Sequence, residues 1–446
     1  MIKIGVPQPR TRALLARLFQ SGLQAVDPYE AVRRQVNVGR RHLTIGSQHY
    51  ALDRLKRIVV VGAGKASARM AQALEQQLGP RIDDGLVVVK YGHGAPTQTI
   101  RIVEAGHPIP DAAGLDASRQ VVALATTLTA DDLLIVLLSG GASSLLPAPA
   151  SGIALQDKQQ TTKLLLRSGA TIHEINAVRK HLSSVKGGQL AAATPARVAS
   201  VILSDVIGND LGTIGSGPTA PDPTTFQEAW EIVERYGVSK TIPASVRSRL
   251  RMGMKHRAAE TPKPHAALFR RVDNILVGDN QAAVDAVAKV AMQQGLRTLI
   301  LSTTLTGEAR ELAKMFGAMA REIGSHGRPI KRPCCIIAGG EPTVTIRGEG
   351  TGGRAQEFAL AAALEIAGLP NIWVAGFATD GTDGPTSVAG AVVDGQTVTR
   401  ARRKGLDLCH ALQENDAYPF FEQLHGHIVT GPTGTNVNDL YLLLAL

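Results

Sequence analysis

The chain has 446 residues, 44% hydrophobic and 19% charged, which calls for two or three domains with sizeable cores and excludes a disordered polymer. Its formal charge of +10 is uneven: residues 1–41 hold eight basic and two acidic side chains (+6), residues 241–271 eight and one (+7), and the remainder sums to −3. Two solvated basic segments therefore fit better than a nucleic-acid face, which 4% aromatics also disfavour; three cysteines without disulfide or metal spacing suit a reducing cytoplasm, and no run of about eighteen apolar residues is present to cross a membrane.

Leu14, Leu15, Leu18, Leu23 and Val26 recur at helical spacing before Asp27-Pro28, so the Arg-rich start reads as a folded first helix, not a transit peptide. Arg57–Val61 reads as a short buried strand. Gly62-Ala63-Gly64-Lys65-Ala66-Ser67 then opens a helix to about Leu78, and Leu86–Lys90 is the next strand. A dinucleotide-binding loop is a poor match here. Ser67 stands where Gly or Ala is usual, and Asp83 and Asp84 precede the second strand where an acid should end it. No Walker pattern is present. Lys65 at a helix start, near the carboxyl ends of parallel strands, remains a candidate ligand group, with a surface lysine as the plain alternative.

Further strands are expected at Ile100–Glu104, Leu133–Leu138, Val198–Leu203, Ile275–Gly278, Thr298–Ser302, Cys334–Ala338 and Ile372–Ala375, with helices between them such as Gln281–Gln294 and Gly307–Ile323. That alternation predicts a mainly parallel sheet covered on both faces. After Leu133–Leu138, Ser139-Gly140-Gly141-Ala142-Ser143-Ser144 offers N–H groups and hydroxyls to an anion, and it lacks the Gly-x-Ser-x-Gly of a nucleophile elbow. Helical spacing in Asn176–Gly188 places Asn176, Lys180 and Ser184 on one face, Arg179 with Lys186 elsewhere, and His181 reads as structural. Asp205 and Asp210 follow the strand Val198–Leu203, where a carboxylate binds Mg²⁺, orients a hydroxyl or merely caps a turn. The charged, proline-bearing segment Met252–Pro264 reads as a linker between domains 1–251 and 265–446.

In the second half, Gly339-Gly340-Glu341 follows a strand, and Pro342–Ile346 reads as another extended run. Gly348-Glu349-Gly350-Thr351-Gly352-Gly353-Arg354 comes next. Four glycines free the backbone N–H groups, a helix start adds a positive end, and Arg354 supplies a fork for carboxylate or phosphate, so an anion site is expected. Ala378–Thr386 contains Asp380 and Asp383 on a glycine turn that fails the calcium-loop spacing. Thr430–Asp439 closes the set. Glu341, Arg354, Asp380 and Asn436 meet only if these loops share a sheet edge.

Taken together, Gly62–Ala66, Gly106–Gly114, Asn176–Gly188, Ser204–Thr219, Gly339–Glu341, Gly352–Glu357, Ala378–Thr386 and Thr430–Asp439 resemble the glycerate 2-kinase family, whose C-terminal region is called MOFRL. The likeness covers nearly the whole chain. It implies two α/β domains, an N-terminal Rossmann-like sheet with flanking helices and a MOFRL-type mixed-sheet domain (about 334–446), with the active cleft between them. It also implies ATP- and Mg²⁺-dependent phosphorylation of the 2-hydroxyl of D-glycerate. The family's essential lysine falls on Lys65 and its essential arginine on Arg354. Departures stand at Ala355 (Asn expected), at Ile207 and Asn209 (Pro and Asp expected), at Ala142 (Gly expected) and at Ser387 (Asp expected).

On this reading Lys65, Arg354 and Asp205 are the catalytic candidates. Gly64, Ser139, Gly140, Gly141, Ser143, Ser144, Asn176, Lys180 and Gly353 are expected at substrate or phosphate, Glu341, Asp380 and Asn436 at nucleotide, and Asp205 with Asp210 at the metal. The expected partners are D-glycerate and ATP, without nucleic acid or membrane, in a cytoplasmic protein for which a homodimer is one expectation. An NAD(P)H-dependent hydroxypyruvate reductase and a non-catalytic metabolite-binding protein are the alternatives.

Overall fold

The computed structural model describes residues 2–446. The chain forms two compact units, one of residues 28–277 and one combining residues 1–27 with 278–446. This division differs from a cut at Met252–Pro264. That segment does not link domains; it is packed into the first unit. The helix Ala244–Met254 runs into it, Thr261 is buried, Asp222 N donates to Pro262 O at 2.9 Å, and Glu260 meets His181 Nε2 at 2.7 Å. The basic residues nearby cap carbonyls: Arg249 Nε donates to His181 O, and Arg271 reaches Thr194 O and Ala196 O.

The first unit is built on a six-stranded sheet in the order Val272–Gly278, Arg197–Leu203, Leu133–Leu138, Ile58–Ala63, Asp84–Lys90, Ile100–Ala105. The pairs joining the five strands from Arg197–Leu203 to Ile100–Ala105 are parallel. Ile58–Ala63 and Leu133–Leu138 are buried at every position, as expected where both faces are covered and the strand reads as a continuous apolar run. Counted from Ile58–Ala63, the order is 3-2-1-4-5-6, that of a doubly wound nucleotide-binding sheet. Its direction reverses between Ile58–Ala63 and Leu133–Leu138, the place where ligands bind such sheets. A second core in this unit joins Leu165, Val178, Phe226, Trp230, Val246 and Leu250 from four helices. Val36–Val38, His42–Ile45 and Gln48–Ala51 form a small antiparallel sheet. Its three short strands lie in a polar stretch that gave no strand signal.

The other unit has a seven-stranded sheet, and here the expectation of parallel topology fails. Only Arg297–Leu305 and Cys334–Gly340 pair in parallel. The C-terminal strand Asp439–Ala445 lies antiparallel between Cys334–Gly340 and Ile372–Ala378, and Gly390–Asp394, His427–Val429 and Lys3–Ile4 extend the sheet, all antiparallel. The mixed sheet implied by the resemblance is thus present. Pro342–Ile346 is no strand: it makes one bridge, Glu308 to Thr343, and leaves Ile346 80% exposed. The first helix, Pro9–Ala25, belongs to this unit through buried Leu15, Leu18 and Phe19, with Phe19 stacked on Phe377 at 4.5 Å.

Candidate active site

At the reversal point of the first unit, two strand ends meet through small side chains. Lys65 N donates to Gly140 O at 2.8 Å. Ala66 N donates to Ser139 Oγ at 3.0 Å, and the Ser67 and Ser139 hydroxyls lie 2.9 Å apart. Ser67 therefore has a reason to differ from a dinucleotide glycine: its hydroxyl ties the two loops together. Gly64, at φ +141, would drive a Cβ into Ser139. Ser139 is consequently a buried strut whose hydroxyl is engaged by Ala66 N and Ser67. The strand Asp84–Lys90 ends in lysine, and Asp83 caps Ile58 N at 2.8 Å, so no acid stands where a dinucleotide ribose would need one.

Gly140 and Gly141 form the floor. A Cβ at Gly140 would collide with Asp205 Oδ2, and one at Gly141 (φ +88) would lie 2.9 Å from the His107 ring and 3.5 Å from Lys65 Cγ. Lys65, His107 and Asp205 thus converge on two glycines. Among the described residues the Lys65 ammonium has no ion-pair or hydrogen-bond partner, so its charge is available to an anion. His107 carries no clear sequence signal of its own, though it lies within the family-like Gly106–Gly114. Burial, then the charges of Lys65, Lys90 and His93, push its imidazole down to about 4.

The remaining candidates divide. Ser143 Oγ lies 2.8 Å from Ser216 Oγ, which donates to Asn176 Oδ1 at 3.1 Å, so Ser143 and Asn176 share one network. Ser144 turns back to Gly141 O at 3.1 Å. Lys180 is committed to the buried Asp222 at 3.4 Å. Asp210 caps a turn, accepting from Gly212 N and from the Thr213 hydroxyl. No group of three or more His, Cys, Asp or Glu side chains among the described residues forms a metal cage.

In the other unit, the antiparallel Asp439–Ala445 brings the expected loops to one sheet edge, since Asp439 is in register with both Gly340 and Ala378. Arg354 opens the helix Arg354–Glu365. It donates to Asp439 through Nε at 2.6 Å and Nη2 at 3.3 Å, and to Glu341 through Nη1 at 2.9 Å. Three of its five N–H donors are engaged, which leaves two for a ligand. Tyr441 donates to the same carboxylate at 2.8 Å. Burial pushes Asp439 up, to about 7, against the opposing pull of Arg354 and Tyr441. Burial would lower Arg354, but Asp439 and Glu341 overcome it and hold the guanidinium charged. Sequence reasoning left Asp439 unassigned because it sits at the start of an apolar strand.

The glycine-rich loop differs from an open anion cradle. Asp383 already occupies the helix start, accepting from Ala355 N at 3.0 Å and Gln356 N at 2.8 Å. Gly353 permits this, because a Cβ there would collide with the Asp383 carboxylate. Arg347 N and Gly348 N donate to Asn415 Oδ1, Gly350 N to Glu414 O, and Thr351 N to Asp416. The loop's glycines thus serve close packing on the turn 414–417, which Glu357 anchors through Arg310 and Asn415. Asp380 accepts from Thr382 N, and Asn436 Oδ1 from Asn438 N at 3.1 Å. Ala355 is fully buried, while Ser387 is exposed.

Comparison with known proteins finds relatives over nearly the whole chain. Residues 14–251 match the model of a domain of unknown function (DUF4147), and residues 334–439 match the MOFRL family. The chain is 40% identical over 434 residues to glycerate 2-kinase of Pyrococcus horikoshii, covering 97% of each chain. It is 41% identical over 439 residues to an Agrobacterium vitis protein named as a hydroxypyruvate reductase, covering 97% of this chain and 94% of that one. The crystal structure of glycerate kinase from Thermotoga maritima superposes with a TM-score of 0.88 at 38% identity, covering 98% of this chain and all of that one. Identity of this order over nearly the full length places the chain in the glycerate 2-kinase family.

Proposed function

We propose that this protein transfers the γ-phosphoryl group of ATP to the 2-hydroxyl of D-glycerate, giving 2-phosphoglycerate and ADP. The observation that carries the reading is the convergence of Lys65 and Asp205 on Gly140–Gly141 at the reversal point of the sheet. Phosphoryl transfer needs positioning and charge neutralisation more than covalent chemistry from the protein. Lys65 would neutralise phosphoryl oxygens, with Gly140 and Gly141 allowing close approach. Asp205 would orient the 2-hydroxyl and accept its proton as the oxygen bonds to phosphorus and ADP leaves. In the other unit, Arg354, aimed by Asp439 and Glu341, would take an anionic group through its two remaining donors. Glu341, Asp380 and Asn436 mark the edge expected to face nucleotide. Mg²⁺ favours one or two carboxylates with substrate phosphates rather than an all-protein cage. Asp205, which lies against Gly140, and Asp210, which accepts from Gly212 N and the Thr213 hydroxyl, would be the carboxylates to hold it, and the ion would add charge neutralisation there.

The test is ADP release across small hydroxy acids, with the phosphorylated carbon assigned by NMR. Lys65→Ala and Arg354→Ala should each lower kcat on the order of 10²–10³-fold, as removal of other preorganised electrostatic contacts does. A kcat within a few fold of the parent would remove the role. Hydroxypyruvate-dependent NADPH oxidation, without ADP release from ATP and D-glycerate, would favour the reductase reading instead.

A further inference from the structure

Beside the Ser143 network lies a group of cations without counter-charge. The helix Ile172–His181 is fixed by a Thr171–Glu174 capping box, and Arg179 lies on it three residues after Asn176. Asn176 accepts from Ser216, which pairs with Ser143. Lys186 Nζ donates to Ser143 O at 2.7 Å and to Ser143 Oγ at 3.1 Å. Lys158 Nζ donates to Pro147 O, four residues along the same segment. Both lysines are buried, at 1% and 5% exposure, yet an ammonium has three donors and neither fills them here. Among the described residues the Arg179 guanidinium has no hydrogen-bond acceptor at all. The charges acting on Lys158 and Lys186 are other cations, with no carboxylate among them. Burying such charges unpaired is costly, and perturbed cations gathered beside a reaction centre mark a binding function.

We propose that Arg179 binds the carboxylate of the hydroxy-acid substrate, with the ammonium groups of Lys158 and Lys186 completing the anion site; the inference rests on the kinase reading. The carboxylate and the 2-hydroxyl stand on adjacent carbons, so their sites must be neighbours. Ser143 is two residues beyond Gly141, against which Lys65 lies. A planar guanidinium matches a carboxylate with two parallel hydrogen bonds. Lys180, the cation favoured by helical spacing alone, is already neutralised by Asp222.

Arg179→Gln should raise the KM for D-glycerate at least about 30-fold, the loss expected when a buried charge pair is truncated, and leave the KM for ATP within about twofold. Its preference for D-glycerate over glycerol, which lacks the carboxylate, should collapse. Calorimetric titration of D-glycerate without nucleotide separates this inference from the kinase reading. Binding by the parent but not by Arg179→Gln, together with no ADP formed by the parent in a separate assay with ATP and D-glycerate, would keep the anion site and reject the kinase. Arg179→Gln binding D-glycerate as tightly as the parent would overturn the site. Should the glutamine variant fail to fold, Arg179→Lys provides the same comparison, since it keeps the charge but loses the fork. An unchanged KM for D-glycerate in Arg179→Lys would also overturn the proposal.

Discussion

Arg354 and its partners show why one side chain cannot be assessed alone. Glu341 is 45% exposed on its side chain, and such a pair is worth about 0–1 kcal/mol. Asp439 is 1% exposed, so it is the carboxylate that fixes the guanidinium. Asp439→Asn should therefore lower kcat through Arg354, and the double variant Asp439→Asn/Arg354→Ala should be no worse than Arg354→Ala alone, because the two act as one unit. Fully additive losses would show that Asp439 acts separately. His107 gives a second residue-level prediction. Its pKa in the fold, about 4, lies below the ordinary 6.5. Above 6.5 both folded and unfolded states are neutral. Between 6.5 and 4 the unfolded chain takes up a proton that the fold refuses, so stability falls as pH drops through this window. His107→Asn should lose less Tm than the parent between about pH 7 and pH 5. Equal losses would remove His107 from that linkage.

The strand–loop–helix element ending in Arg354 shows what a sequence makes legible. The buried strands were readable because a continuous apolar run has few other fates: Leu133–Leu138 is buried throughout. The cation was readable too, as Arg354 falls at the first turn of its helix. The purpose of the glycines was not. Glycine tells that something comes close, and here that something is Asp383 and the turn 414–417, both distant in sequence. The same limit explains Ser139, which supports Ala66 and Ser67, and Lys180, whose partner Asp222 is 42 residues away. Asp383 thus serves as the helix cap. Asp383→Ala should strand two buried N–H groups and cost about 2 kcal/mol in chemical denaturation, at the upper end for a lost cap. A loss below about 0.5 kcal/mol would show that other groups satisfy the helix start.

At the scale of the whole chain, the decisive fact is that residues 1–27 fold with residues 278–446. Leu15, Leu18, Phe19 and Val26 are each at 0% exposure. The helix Pro9–Ala25 packs on Asn280–Gln293, Gly5 N donates to His427 O at 3.0 Å, and Thr435 donates its hydroxyl to Val26 O at 2.6 Å. Fully burying such side chains contributes about 1.5–3 kcal/mol each, so the four together reach about 6–12 kcal/mol, as much as an entire domain usually has in reserve. A fragment cut where composition suggests, at 265–446, should therefore lack a cooperative unfolding transition, although it holds the whole MOFRL match and Arg354. Adding residues 1–27, fused through a flexible linker or supplied as a peptide, should restore a single sharp transition and near-ultraviolet dichroism from Trp373 and Tyr441. The substitution Phe19→Ala in the restored form should cost about 3–5 kcal/mol, since its ring stacks on Phe377. A fragment 265–446 that unfolds cooperatively on its own, with the stability of the restored form, would show that the first helix merely decorates the unit it covers.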